Sequence, residues 1–228
     1  MKKGVILFHS NIKNIYYDRW VSKSIQSMIN QSDNNFTFYE INYSGDDYSV
    51  IPNDCKIEKK FWSEKLDNYA NAMNFILNKA FEDNCDYVFN MNLDDFYHED
   101  RVLIQTKIML EKKYDILSSN FYYIEEVIKN NEYEDTITNV FNMTEFNSID
   151  SEFKRGNNII AHPSVCFSRK FWDDDKNRYD KNEIPEEDFK LWKQSINNGY
   201  SFGITQEFLL FYRIHNKQIS KRRLEDVY

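Results

Sequence analysis

Three features of the sequence predict an α/β fold, with a mainly parallel sheet flanked by helices on both faces. Strand-like and helix-like segments alternate through the first half in the order β-α-β-(β)-α-β-α-β, the pattern of a parallel sheet with crossover helices. The chain has 228 residues, 41% hydrophobic and 17% aromatic, which suits a globular chain able to bury a core without staples. No internal repeat and no Gly/Ser/Pro-rich linker interrupts it, so a single domain is expected.

The elements follow from local pattern. Val5–His9 is a short apolar run ending in polar Ser10 and Asn11, a first strand. Trp20–Ile29 carries Val21, Ile25, Met28 and Ile29 at helical spacing. Phe36–Tyr43 is rich in strand formers and runs into a turn at Ser44-Gly45-Asp46-Asp47, and Cys55–Glu58 reads as a short third strand. Glu64–Phe81 is the clearest helix, with Leu66, Tyr69, Ala70, Met73, Ile76, Leu77 and Ala80 on one face. Tyr87–Met91 is the next strand, His98–Lys112 a helix and Asp115–Tyr123 a strand. Val127–Ser151 is polar and acidic and reads as loop with possible strand pieces. Ile159–Phe167 and Phe208–Ile214 read as strands, Pro185–Asn197 as a helix opened by acids, and the basic tail as possible helix.

Composition excludes several function classes. The formal net charge is -8, a poor default for binding nucleic acid or anionic lipid; basic residues cluster only in the tail, at Lys217, Lys221, Arg222 and Arg223. Three scattered cysteines without CxxC spacing argue against a zinc site or a disulfide framework. Five glycines cannot build GxGxxG or GxxxxGK, so neither the dinucleotide fingerprint nor a P-loop is present. No stretch approaches the ~18 apolar residues of a membrane span, and the run Val5–Phe8 is too short for a signal peptide, so no transmembrane segment and a cytoplasmic location are expected.

In an open parallel sheet, ligands bind beyond the carboxyl ends of the strands. Polar clusters fall there: His9-Ser10-Asn11, Asn42-Tyr43-Ser44 and Asn92-Leu93-Asp94-Asp95. Hard oxygen donors on a strand end suit Mg2+ or Mn2+ together with substrate phosphates, although Asp94 and Asp95 could equally cap the helix that follows. Glu186, Glu187 and Asp188 open a helix whose dipole favours acids and would hold their pKa values low, and one of them could serve as a general base. In "YRIH", Arg213 and His215 share a strand face and could meet phosphate or metal, or form a surface salt bridge.

The order of these clusters resembles a glycosyltransferase of the GT-A fold, family 2 type. The likeness is carried by "ILFHSN", the helix "YANAMNFILNKA", "NLDD" in the place of a DxD-like element, "EEDFKLW" with "NNGYSF" behind it, and "YRIH" followed by Ser220. It covers nearly the whole chain except Val127–Ser151. Three positions depart from the family pattern: Asn92 replaces the first DxD acid, Asn42 or Tyr43 falls at the acidic base-contacting position, and Met73 replaces an Arg.

The resemblance implies a metal-dependent, inverting transfer of a sugar from a nucleotide-diphosphate sugar, UDP-sugar favoured, to a glycan or other hydroxyl acceptor. It implies a donor-binding part at about 1–125, an acceptor and catalytic part at about 126–216 and a tail at 217–228. On the matching positions, Asp188 with Glu187 beside it would be catalytic. Ser10, Asn11, Asn42, Asn74, Asn92 and Arg213 would bind the donor, and Asp94, Asp95 and His215 would hold Mn2+ or Mg2+. His162 and Trp192 would lie on the acceptor side. Two other classes compete: a sugar nucleotidyltransferase, which usually needs a Gly-rich loop that "LFHSNIKN" lacks, and a non-catalytic sugar- or protein-binding module on the same fold.

Overall fold

The computed structural model describes residues 1–146, 148–182, 186–216 and 218, apart from the side chain of Lys13. Pro185, where the expected helix opens, and the basic tail, Gln218 excepted, lie outside the described residues. The chain opens with β1 (Lys3–His9), α1 (Ile12–Ile15), α2 (Asp18–Ile29), β2 (Thr37–Asn42), β3 (Lys59–Ser63), α3 (Tyr69–Glu82) and β4 (Tyr87–Asn90). It continues through β5 (Phe96–Tyr97), α4 (Arg101–Lys112), β6 (Ile116–Lys129), β7 (Glu132–Phe141), α5 (Ile149–Lys154), β8 (Cys166–Ser168), α6 (Arg169–Trp172), α7 (Glu187–Asn197) and β9 (Phe202–Arg213).

Among the described residues the strands form one nine-stranded sheet in the order β3-β2-β1-β4-β8-β6-β9-β5, with β7 added to β6. The pairings make β1, β2, β3, β4, β6 and β9 run one way and only β5, β7 and β8 the other, so the sheet is mostly parallel, as the alternation predicts. Side chains alternate across it. On β1, Ile6 packs with Met73, Ile76 and Leu77 of α3, while Val5 and Leu7 pack on the opposite face with residues of α2 and α4. Each large side chain buried this way contributes about 1.5–3 kcal/mol. The parallel strands thereby deliver their carboxyl ends to one edge.

Local chemistry shifts four expected boundaries. The third strand lies at 59–63 instead of 55–58, because Lys59–Ser63 is the stretch that pairs with β2. The helix expected from Glu64 begins at Tyr69: Glu64 and Leu66 still donate to the Asn42 and Tyr43 carbonyls, and the Asn68 side chain caps the helix by accepting from Asn71 N–H at 3.0 Å. The stretch 127–151, expected as loop with possible strand pieces, is a hairpin as far as Phe141. Asn130 and Asn131 both take positive φ, 51° and 66°, the two-residue turn that matches strand twist. Of the strand expected at 159–167, only the end is a strand, beginning at Cys166, and His162–Ser164 forms a 3-10 turn around Pro163.

Candidate active site

At the carboxyl edge of the sheet lies a cleft of about 190 Å³. Ser10 reaches it from the end of β1, Asn92 and Asp94 from the segment after β4, His162 and Pro163 from the turn before β8, Tyr212 from β9, and Glu187 and Asp188 from the first turn of α7. Six residues expected from the sequence thus share one cavity: Ser10, Asn92, Asp94, His162, Glu187 and Asp188.

The acidic turn is held by register. β5 follows it directly and pairs antiparallel with β9, Phe96 against Phe211, so stepping back to Asp94 means stepping forward to Arg213. Arg213 Nε donates to the Asp94 carbonyl at 2.8 Å, and its backbone N–H donates to Asp95 Oδ1 at 2.9 Å. His215, just beyond β9, brings Nε2 to 3.0 Å from Asp94 Oδ2. The turn is closed from beneath by Tyr97, whose hydroxyl accepts from Asn92 N–H at 2.7 Å.

The two aspartates differ. Asp94 lines the cleft, and its Oδ1 is buried with no hydrogen-bond partner among the described residues. Asp95 points away from the cleft into the protein, where burial and then the charge of Asp94 push its carboxyl well above the usual range. The expected metal role therefore has a place for Asp94 and His215 but not for Asp95. Among the described residues no group of three or more His, Cys, Asp or Glu is set to hold an ion. A cation here would draw its remaining ligands from a bound phosphate and water, and a buried carboxylate oxygen beside an imidazole suits Mn2+ or Mg2+ in that arrangement.

Arg213 does not reach the cleft. Its guanidinium is 1% exposed and pairs with Asp135 on β7, and it lies 4.9 Å over the Trp20 ring. Burial disfavours the charge of Asp135, but hydrogen bonds from Arg213 and Lys23 outweigh this and hold its carboxyl below the ordinary range. Arg213 thus supports the acidic turn, where the sequence reading had it binding the donor. Asn42 is likewise occupied: its Oδ1 accepts from Ser44 N–H and Oγ, and its Nδ2 donates to the Tyr48 carbonyl. Asn74 exchanges two 2.9 Å hydrogen bonds with the backbone of Tyr179. Asn11 takes a left-handed φ of 53° that turns the chain out of β1. None of these three asparagines lines the cleft.

On the opposite wall, Asp188 is half-buried. Burial, and then the adjacent Glu187 charge, push its carboxyl up to about 6, although Phe189 N–H and Asn158 Nδ2 donate to it at 2.6 and 3.4 Å. The helix start, expected to hold this pKa low, is outweighed by desolvation. His162 forms the floor between Tyr69 and Tyr179, with Tyr69 Oη 3.0 Å from Nδ1 and Tyr179 Oη 2.8 Å from Nε2. Asn90 Nδ2 donates to the His162 carbonyl at 3.0 Å. Burial lowers the His162 pKa to about 3, so the ring is neutral. Trp192 is fully buried against His162, Phe167 and Phe202, so an acceptor cannot touch it and it acts as packing beneath the floor.

Sequence reasoning missed Asp135, Tyr69 and Tyr179. Asp135 had no readable motif. Tyr69 is visible in the sequence only as one member of an apolar helix face and Tyr179 stands in a polar stretch, with nothing to show that their hydroxyls converge on one histidine.

No family profile matches the chain. Over 92% of its length it is 27% identical to an uncharacterised glycosyltransferase of Methanocaldococcus jannaschii, covering 73% of that protein. It is 26% identical to the O-antigen biosynthesis glycosyltransferase WbnJ of Escherichia coli, covering 91% of this chain and 80% of that one. Among solved structures, it resembles S. aureus TarS 1–349 in complex with UDP, with TM-score 0.67, 13% identity and 95% of the chain covered. The complex of the same protein with UDP-GlcNAc gives TM-score 0.65, 12% identity and 96% coverage. The chain spans about three fifths (61%) of the length of those two solved chains. The chain is thus similar in sequence to two glycosyltransferases and shares the fold of a third.

Among the described residues no helix is long and apolar enough to cross a membrane.

Proposed function

We infer that the chain transfers a sugar from a UDP-sugar to an acceptor hydroxyl with inversion. The observation that carries this reading is the placement of two carboxylates of different character in one cleft. Asp94 stands beside His215 on one wall, and Asp188, with its raised pKa, on the other. The UDP and UDP-GlcNAc bound by the structural neighbour support a UDP-sugar as donor.

Asp188 takes the proton of the acceptor hydroxyl as its oxygen attacks the anomeric carbon. The new C–O bond forms on the face opposite the departing UDP, whose C–O bond breaks, so configuration inverts. Above about pH 6 Asp188 is ionised and able to accept that proton. Glu187 keeps its neighbour's proton affinity high. Ser10 and Asn92 line the donor half and offer a hydroxyl and an amide to ribose or base. Asp94 and His215 would hold Mn2+ or Mg2+, which would offset the charge of the departing diphosphate.

The test is a panel of UDP-sugars with Mn2+ or Mg2+, scoring transfer or slow donor hydrolysis for the wild type and Asp188→Asn. Sugar release by the wild type that Asp188→Asn abolishes is the expected result. Equal release by both would remove Asp188 from the mechanism, and no release from any UDP-sugar would remove the donor assignment.

A further inference from the structure

Past Asp188 the cleft opens into a second depression, and one wall of it is aromatic. Phe121 on β6 and Phe141 at the end of β7 stack at 4.7 Å between centroids and 6° between planes. Phe146, just beyond β7, stacks on Phe141 at 5.0 Å and 21° and is 38% exposed. Tyr212, which also lines the cleft, closes the strip 5.8 Å from Phe121. The facing segment, 156–161, carries the amides of Asn157 and Asn158, and Asn158 Nδ2 lies 3.4 Å from Asp188 Oδ2. Among the described lining residues there is no Lys or Arg, and Asp188 is the one acid.

We propose that this depression seats a neutral sugar ring of the acceptor, stacked on Phe146 at the open end of the Phe121–Phe141–Phe146 stack with a hydroxyl directed at Asp188. The proposal deepens the sugar-transfer reading above and rests on it. Four features of the depression select the occupant. Phe121 and Phe141 stack face to face and cover each other, so the ring offered to a ligand is Phe146 at the open end, whose face matches the C–H face of a pyranose. Asn157 Nδ2 donates to Glu152 at 2.8 Å and Asn158 Oδ1 accepts from Ile160 N–H at 3.2 Å, and the remaining capacity of the two amides can meet its hydroxyls. A phosphate or carboxylate would lose water there with no cation to meet it, and would face the charge of Asp188. An alkyl chain would gain from the aromatic wall but would strip water from the remaining amide donors and acceptors and pair with none of them.

Saturation-transfer NMR on the full chain tests this without any donor. The probes are lactose, maltose and N,N′-diacetylchitobiose as neutral sugars, glucuronic acid and glucose 6-phosphate as anionic ones, and octanol as an alkyl chain. UDP affinity, measured in parallel by calorimetry, reads the other end of the cleft and checks folding. Binding of at least one neutral disaccharide is expected, weakened about five- to tenfold in Phe146→Ala and restored in Phe146→Trp, with UDP affinity unchanged in both. Binding of the anionic sugars or octanol in preference to every neutral sugar overturns the proposal. So does neutral-sugar binding indifferent to Phe146→Ala, or no neutral-sugar binding at all. If UDP fails to bind the wild type, the donor reading falls while the saccharide result stands on its own.

Discussion

His215 Nε2 lies 3.0 Å from Asp94 Oδ2, although 121 residues separate them in the chain. Both side chains are nearly buried, and the ring of His215 packs against Trp20 at 4.7 Å and Tyr16 at 5.7 Å. The contact is therefore positioned by aromatic packing and by the β5–β9 register, and it sets an imidazole beside the carboxylate that lines the cleft.

If Asp94 and His215 share a cation, Mn2+ binding depends on both and strengthens with UDP. Asp94→Ala and His215→Ala each weaken Mn2+ binding in the presence of UDP by on the order of 10²-fold, with little change in melting temperature. Calorimetric titration of Mn2+ with and without UDP checks this. Variants that bind Mn2+ as the wild type does would refute the shared site.

The proton affinity of Asp188 sets the acid side of the rate profile. As a base it must be unprotonated, so kcat/KM rises with pH and levels off above about 6. Glu187→Gln removes a like charge and moves the rise to lower pH. Asp188→Asn loses ~10²–10⁴-fold in kcat with UDP affinity retained. Initial rates across pH 4.5–8, about two units either side of the expected rise, read all three. A rise that stays put in Glu187→Gln contradicts the coupling.

Asp135 compensates the buried guanidinium of Arg213. Asp135→Ala leaves that charge stranded and lowers stability by ~3–5 kcal/mol in denaturant melts. The double variant Asp135→Leu/Arg213→Met recovers much of that stability, because an apolar pair can replace a buried ion pair. It does not recover tight UDP and Mn2+ binding, since Arg213 Nε no longer holds the Asp94 carbonyl. A double variant with full UDP and Mn2+ affinity would show that Arg213 serves stability alone.

His162 gives the fold an acid sensitivity of its own. Its pKa falls from 6.5 to about 3 on folding, so its contribution is complete above pH 6.5 and drains away as pH drops from there toward 3. The limiting slope for one such proton is about 1.4 kcal/mol per pH unit. Comparing melting curves of wild type and His162→Gln across this window isolates the term. Parallel curves would show that His162 is not the group responsible.

The parts of the molecule legible in the sequence were those written in local periodicity. The apolar stripe of α3 and the strand β4 that leads to Asp94 could be read because burial imposes its spacing directly. The hairpin β6–β7 also left a mark, Asn130-Asn131, but its strands are half-exposed and carry little apolar alternation, so the surrounding polarity concealed it. Arg213 illustrates the other limit. Alternation correctly puts it on the face opposite Tyr212, but only the tertiary register shows that this face meets Asp135 and not the cleft. The raised proton affinity of Asp188 was illegible for the same reason, because desolvation depends on neighbours distant in the chain.

β8 runs against the direction of its neighbours, and this decides which of its ends supplies the cleft floor. A parallel strand in that slot would deliver the residues that follow it; β8 delivers those that precede it, Val165 bonding to Asn90 N–H and His162 reaching Tyr69 and Tyr179. The long excursion from 142 to 161 therefore ends at a fixed mooring. A change in its length or composition would leave the floor in place, because the floor is anchored from the sheet and not from the excursion.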